Sequence, residues 1–130
     1  MLNWSDDYLI GIEAIDTQHK KLFEIGGRAM ELLNNEFYID KYDRIVEIID
    51  ELRDYYVYHF NFEEKYMLSI GYKRYFSQKV EHDDFIEKIK NIDLNKMDDN
   101  QDEYLMSIVD FMIEWITEHI IHKDKLIPMP

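Results

Sequence analysis

The chain contains no cysteine, only four glycines and two prolines, and far fewer basic than acidic residues. Without cysteine it forms no disulfide, zinc–thiolate site, iron–sulfur cluster or thiol nucleophile. Lys and Arg number 15 against 28 Asp and Glu, a formal net charge of −13, which argues against nucleic-acid and anionic-membrane partners. No apolar run approaches the roughly 20 residues that span a bilayer, and no secretion signal is visible. We therefore expect a soluble cytoplasmic protein.

The scarcity of glycine and proline favours long helices over strands and turns. Apolar residues recur at steps of three, four and seven, as on the buried stripes of amphipathic helices. At 130 residues the chain predicts a single all-α domain, an up-down-up-down four-helix bundle. The first predicted helix is capped by Asp16 and ends at about Glu36. The second is capped by Asp40 and ends at about Leu68, with Gly71 just past its end. The third and fourth run from about Lys73 to Lys90 and from about Asp102 to His122. Residues 1–11 form an N-terminal arm, residues 12–127 the bundle and residues 128–130 a tail.

Polar side chains interrupt each of these apolar stripes. They are His19 on the first helix, His59 and Glu63 on the second, Gln78 and His82 on the third, and His119 on the fourth. Asp124 follows His119 by five residues, about 140° round a regular helix, so it joins that group only where the helix end loosens.

A bound cation is the simplest reason for so many polar groups on buried stripes. A lone histidine on an apolar stripe is usually a satisfied core residue, but here four of the five histidines lie on stripes of four different helices. An unpaired buried carboxylate is strongly destabilising, and a buried imidazole needs a partner on each nitrogen. Nitrogen and oxygen ligands without sulfur suit iron or manganese, with zinc also compatible. Two carboxylates from different helices can bridge two such metals.

At this point the sequence resembles a bacterial hemerythrin domain over nearly its whole length. The first matching motif is WSDDYLIGIEAIDTQHKKLF (residues 4–23) and the second is HFNFEE (residues 59–64). The third is EHDDF (residues 81–85) and the fourth is WITEHIIHKD (residues 115–124).

The resemblance implies seven ligand positions around two iron ions joined by an oxo or hydroxo bridge. It assigns His19 and His59 to the iron that binds O2, and Glu63 and Asp124 to the bridging carboxylates. It assigns His82 and His119 to the other iron. The third histidine of that iron should stand where this chain has Gln78, whose neutral amide is a weaker ligand than imidazole. The position is filled by the amide oxygen or left to water, so we expect this iron to be held more loosely or at an altered redox potential.

The same resemblance implies an apolar O2 pocket beside the metals. Its residues would be Leu22, Phe60, Trp115, Ile116 and Ile120, which are equally compatible with ordinary core packing. His122 is expected to be a helix-end residue outside the site.

The implied function is reversible O2 binding without catalysis, for storage, delivery or sensing. One alternative is a di-iron peroxidase, oxidase or nitric-oxide-handling enzyme. Glu-x-x-His pairs, typical of ferritin-like oxidases, are not found on the core stripes. The other alternative is an interaction module that reports iron or oxygen status to a protein partner, which an exposed apolar surface would favour. The sequence does not identify such a partner.

Overall fold

A computed structural model describes residues 3–35, 42–94 and 101–128, except for the side chain at position 101. The structure is an all-α, up-down-up-down four-helix bundle, and the described residues form no strand. The four long helices are α1 (Glu13–Leu33), α2 (Tyr42–Ser69), α3 (Tyr75–Lys90) and α4 (Gln101–His122). Short 3-10 helices cover Asp6–Tyr8 in the N-terminal arm and Asp124–Leu126 after α4.

The core forms because each long helix turns an apolar stripe inward. Helix α1 packs against α2 and α4, and α2 packs against α3. The interior is filled by fully buried side chains such as Ile15, Ile49, Phe85 and Met112. In the arm, Trp4 and Tyr8 pack against Phe23 of α1. Within the described ranges, no helix combines the length and apolar character that crossing a bilayer requires.

The predicted start of the first helix is wrong. Helix α1 begins at Glu13 after Ile12, and Asp16 lies inside its first turn. The buried Asp16 carboxylate instead accepts backbone N–H bonds from Ile10 and Gly11 at 2.8 and 3.2 Å. Asp16 therefore anchors the arm to the helix rather than capping it.

The other helix ends differ less from the predictions. Helix α1 ends at Leu33. Position 36, the predicted end of this helix, and position 40, the predicted cap of the second helix, lie outside the described residues. Helix α3 begins at Tyr75, two residues later than predicted. Gly71 has a φ of +63° just past α2, the left-handed conformation that favours glycine at a helix end.

Gly26 marks a close approach between α1 and α4. A Cβ atom at this position would lie 2.7 Å from Cδ1 and 2.8 Å from Cγ1 of Ile113. These distances are shorter than normal van der Waals contact, so any larger residue here would force the Ile113 side chain to shift.

Candidate metal centre

Polar side chains from all four helices meet at one buried place in the bundle. The participants are His19, His59, Glu63, Gln78, His82, His119 and Asp124, each at most 5% exposed. The spacing His59–Glu63 is one helical turn, which puts both side chains on the same face of α2. Gln78 and His82 share a face of α3 in the same way.

Asp124 reaches the others because the chain changes conformation after α4. The α-helix ends at His122, and Asp124 begins a separate 3-10 helix. The carboxylate is thereby brought to 3.3 Å from Nε2 of His119. This arrangement matches the sequence-based condition that the helix end must loosen.

A first group of donors gathers around His19 and His59. Their Nε2 atoms lie 3.1 Å apart. Glu63 Oε2 lies 3.3 Å from Nε2 of His59 and 3.7 Å from that of His19. Asp124 Oδ2 lies 3.2 Å from Nε2 of His19. One ligand atom from each of these four residues lies within 4.8 Å of every other.

A second group uses the same two carboxylates with different histidines. The Nε2 atoms of His82 and His119 lie 3.2 Å apart. Glu63 Oε1 lies 3.2 Å from His82, and Asp124 Oδ1 lies 3.3 Å from His119. Each carboxylate therefore presents one oxygen to each pair of histidines, which is the geometry that bridges two cations.

Several atoms of the site have no hydrogen-bond partner among the described residues although they are buried. They are both oxygens of Glu63, Oδ2 of Asp124, Oε1 of Gln78 and Nδ1 of His19. Leaving buried polar atoms unsatisfied is costly, and bound cations would satisfy the oxygens. The donor set of imidazole and carboxylate groups without sulfur suits iron. The residues therefore fit a dinuclear iron centre.

The electrostatics of the metal-free site favour protonated histidines beside ionised carboxylates. Burial alone lowers the pKa of His19, but Asp124 and Glu63 outweigh it and raise this pKa to about 9. Burial likewise disfavours protonated His82, and carboxylates led by Glu63 raise its pKa to about 9. In His59 burial wins and lowers the pKa. A metal must therefore displace protons from His19 and His82.

The two bridging carboxylates stay ionised despite complete burial. Burial would raise the pKa of Glu63, yet the imidazoles of His19, His59 and His82 beside its two oxygens hold this pKa well below its usual range. For Asp124, burial and the charge of Glu63 raise the pKa, but the histidines, led by His119, lower it overall. In the metal-free protein the two carboxylate charges are therefore balanced by the protons on His19 and His82, and they become available to a cation once those protons leave.

Three residues that orient the histidines were not identified from the sequence. His59 Nδ1 donates to Oε1 of Gln18 at 2.8 Å, so the Nε2 atom of neutral His59 is left unprotonated towards the site. His82 Nδ1 donates to Oε2 of Glu64 at 2.8 Å. His119 Nδ1 lies 3.1 Å from Oε2 of Glu81.

Only a weak sequence pattern points to these three residues. Gln18, Glu64 and Glu81 are each adjacent in sequence to a candidate ligand. Helical periodicity places such neighbours about 100° away from the inward-facing stripe, so it gives no reason to assign them to the site. Their contacts depend on how the helices pack.

Gln78 is part of the cluster and is fixed by Asp124. Its Nε2 donates to Asp124 Oδ1 at 3.0 Å. Because a carboxylate only accepts here, this bond assigns the amide nitrogen and oxygen. The oxygen Oε1 is buried and has no hydrogen-bond partner among the described residues.

The residues of the expected O2 pocket are buried or half-buried, and the two aromatic ones contact the second pair of histidines. Phe60 stacks on His82 with ring centroids 3.9 Å apart. Trp115 stacks on His119 at 4.6 Å. The three aliphatic members, Leu22, Ile116 and Ile120, are fully buried in the main core.

His122 lies outside the cluster. It is exposed and pairs with Glu118 on its own helix at 3.0 Å. A surface cleft of about 330 Å³ lies beside it and reaches His119 and Trp115.

The fold and the site together define a class of protein: a four-helix bundle with a buried, carboxylate-bridged site for two cations. Residues 10–129 match the Hemerythrin HHE cation binding domain. The chain belongs to this family.

Relatives match along almost the whole chain. It is 49% identical to a bacteriohemerythrin of Clostridium acetobutylicum over 125 residues, which cover 96% of this chain and 97% of the relative. It is 32% identical to a bacteriohemerythrin of Pseudomonas paraeruginosa, covering 95% of this chain and 76% of the relative. A hemerythrin-like protein of Naegleria gruberi is 26% identical, covering 94% and 87%.

Proposed function

We propose that this protein is a non-haem di-iron protein that binds O2 reversibly for storage, delivery or sensing. The observation that carries the proposal is the sharing of Glu63 and Asp124 between two groups of buried histidines. Membership of the hemerythrin family and similarity to proteins named bacteriohemerythrin support it. The chain acts as a binding protein rather than an enzyme.

The proposed ligands divide between two iron positions. His19, His59, Glu63 and Asp124 would hold one iron, and Glu63, His82, His119 and Asp124 the other. When bound, the iron pair supplies the two electrons that reversible O2 binding requires. The protein supplies a fixed geometry and ionised carboxylates, together with buried surroundings that exclude water.

Gln78 completes the second position in this proposal through its amide oxygen. Two observations support this role: Oε1 is buried with no partner in the described part of the chain, and Nε2 donates to Asp124. The amide nitrogen would keep its hydrogen bond to Asp124, and the oxygen would be the ligand atom. A neutral amide binds iron more weakly than imidazole, so the second iron is the more weakly held.

The apolar residues around the site favour binding over turnover. We propose that Leu22, Phe60, Trp115, Ile116 and Ile120 shield the metals from water and line the O2 pocket. Buried apolar side chains offer no general acid or base, which argues against peroxidase or oxidase chemistry.

Anaerobic loading with iron(II) tests the function directly. The optical spectrum is recorded before and after air is admitted, and again after O2 is removed, with metal analysis on the same sample. We expect a spectral change that reverses on removal of O2. Irreversible bleaching, or steady consumption of peroxide or nitric oxide, would instead support the enzymatic alternative.

An exposed apolar surface gives some support to the interaction-module alternative as well. The exposed apolar residues of this surface are Leu68 in the last turn of α2, Ile70 just after that helix, and Phe76 and Val80 on α3. Phe76 is 79% exposed. Large exposed apolar side chains mark interaction sites when they cluster. Lys65, Lys73 and Arg74 are also exposed in this stretch, and residues 65–80 contain no acid. This surface suits an acidic protein partner.

Sensing through this surface predicts that Phe76→Ser abolishes binding of a protein captured from cell extract. Tyr58→Ser is the matched control, because Tyr58 is also an exposed aromatic residue but lies elsewhere on α2. Loss of capture in both variants, or in neither, would remove the support for a partner at this surface.

The extent and location of the domain are part of the proposal. We infer one hemerythrin-like domain with an arm at 1–11, a bundle at 12–127 and a tail at 128–130, which the family match over 10–129 supports. We also propose that it acts in the cytoplasm, which cell fractionation against membrane and periplasmic markers tests.

A further inference from the structure

Two chains of polar contacts run from the protein surface to the second pair of histidines. His82 Nδ1 is 2.8 Å from Glu64 Oε2, and Glu64 Oε1 is 3.1 Å from Nζ of Lys79. His119 Nδ1 is 3.1 Å from Glu81 Oε2, and Glu81 Oε1 is 3.5 Å from Nζ of Lys123. In each chain a lysine fixes one carboxylate oxygen while the other oxygen faces an imidazole.

Within the described residues, the first pair of histidines has no such carboxylates behind it. His59 Nδ1 is paired with the neutral amide of Gln18, and Nδ1 of His19 is buried without a partner among the described residues. In the part of the chain that the structure describes, carboxylates that contact Nδ1 of these histidines therefore lie only on the side of the site that contains Gln78.

A carboxylate behind a metal-binding histidine makes the imidazole a stronger donor. The Nδ1–H···O⁻ hydrogen bond fixes the ring orientation and raises the basicity of Nε2. The carboxylate also adds negative charge close to the cation, which increases the affinity for the cation. Both effects oppose the weakness of a neutral amide ligand.

We propose that Glu64 and Glu81 are positioning residues that strengthen metal binding by His82 and His119. They thereby offset the weak amide ligand Gln78 at the second metal position. The inference rests on the proposed function, because it assumes iron at that position. Glu64 has the larger effect, since its side chain is 10% exposed and that of Glu81 is 36% exposed. Solvent screens the charge of Glu81 more strongly.

The test measures the two successive iron(II) affinities of each variant by anaerobic competition with a chromogenic chelator. Glu64→Gln keeps an oxygen for Nδ1 of His82 but removes the charge. We expect it to lower the affinity for the weaker iron by about 10–100-fold, the usual effect of such outer partners. Glu81→Gln lowers it less, and the affinity for the tighter iron stays unchanged in both variants.

Matched variants separate this role from a structural one. Glu118→Gln removes a carboxylate that is 70% exposed and pairs with His122, and leaves both affinities unchanged. Gln78→His in the Glu64→Gln background restores the weaker affinity. Gln18→Glu, which places a carboxylate behind His59, tightens the other iron. If Glu64→Gln does not fold, as judged by far-ultraviolet circular dichroism, the iron(II) affinities of Glu81→Gln and Gln18→Glu test the proposal instead.

Equal weakening of both irons in Glu64→Gln would overturn the inference, as would unchanged affinities in both glutamate variants. Such results in a protein that still binds two irons and O2 would leave the proposed function intact. Failure of the unmodified chain to bind two irons would refute the proposed function instead.

Discussion

The amide nitrogen of Gln78 donates to Oδ1 of Asp124 across 46 positions of the chain, at 3.0 Å. This bond ties α3 to the 3-10 helix that follows α4. It also explains how a neutral side chain is accommodated beside two buried carboxylates, because the amide nitrogen donates to one of the carboxylate oxygens.

Metal stoichiometry is the first prediction. Anaerobic reconstitution with iron(II), followed by desalting and metal analysis, should give close to two irons per chain, because two groups of ligands share Glu63 and Asp124. A value of one or less would mean that Gln78 disables the second position.

Replacing Gln78 by histidine should strengthen the second position. Imidazole is the better ligand for iron(II), so Gln78→His should bind the weaker iron more tightly and slow autoxidation in air. Chelator competition and the decay of the O2-dependent spectrum measure the two effects. If both quantities match those of the unmodified protein, position 78 does not contact the metal.

Loss of His59 should abolish O2 binding without unfolding the bundle. His59→Ala removes one ligand of the iron expected to bind O2 and leaves the apolar stripes unchanged, so helical circular dichroism should be retained. Tyr58→Ala, at the neighbouring exposed position, is the matched control and should bind O2 normally. Normal O2 binding by His59→Ala would place the site elsewhere.

A methyl group at position 26 should destabilise the protein. Gly26→Ala gains about 1 kcal/mol of helix propensity, but the new Cβ would overlap Ile113, and overpacking costs about 1–3 kcal/mol. We expect a net loss of free energy of unfolding of up to about 2 kcal/mol, measured by denaturant titration. Adding Ile113→Val, which removes Cδ1, should recover part of this loss, whereas a stabilised single variant would contradict the close approach.

The stability of the metal-free chain should fall at alkaline pH. The pKa values of His19 and His82 rise from 6.5 in the unfolded chain to about 9 in the fold. The higher pKa in the folded state stabilises the fold fully below about pH 6.5, and this stabilisation is lost as the pH rises through about 9. Thermal unfolding should therefore occur at a lower temperature at pH 9.5 than at pH 6.5. Iron-loaded protein, whose histidines are neutral ligands, should lack this decrease, and an equal decrease in both forms would exclude these histidines as its cause.

Particular residues show how far the sequence leads. The inward positions of His59 and Glu63 follow from one-turn spacing within a single helix, and the buried stripes follow from local periodicity. The role of Asp16 does not, because a residue suited to capping a helix is equally suited to binding the backbone of a preceding arm. The choice between the two depends on how the arm packs on Phe23.

Local periodicity in the sequence determined the all-α fold, the number of helices and the inward direction of the polar side chains, since these follow from interactions a few residues apart. Tertiary structure alone decided which oxygen of Glu63 faces which histidine, that Glu64 and Glu81 contact His82 and His119, and that Gly26 meets Ile113. These relationships join residues on different helices or depend on rotamers fixed by packing. They are set by the relative placement of helices, which no local pattern encodes.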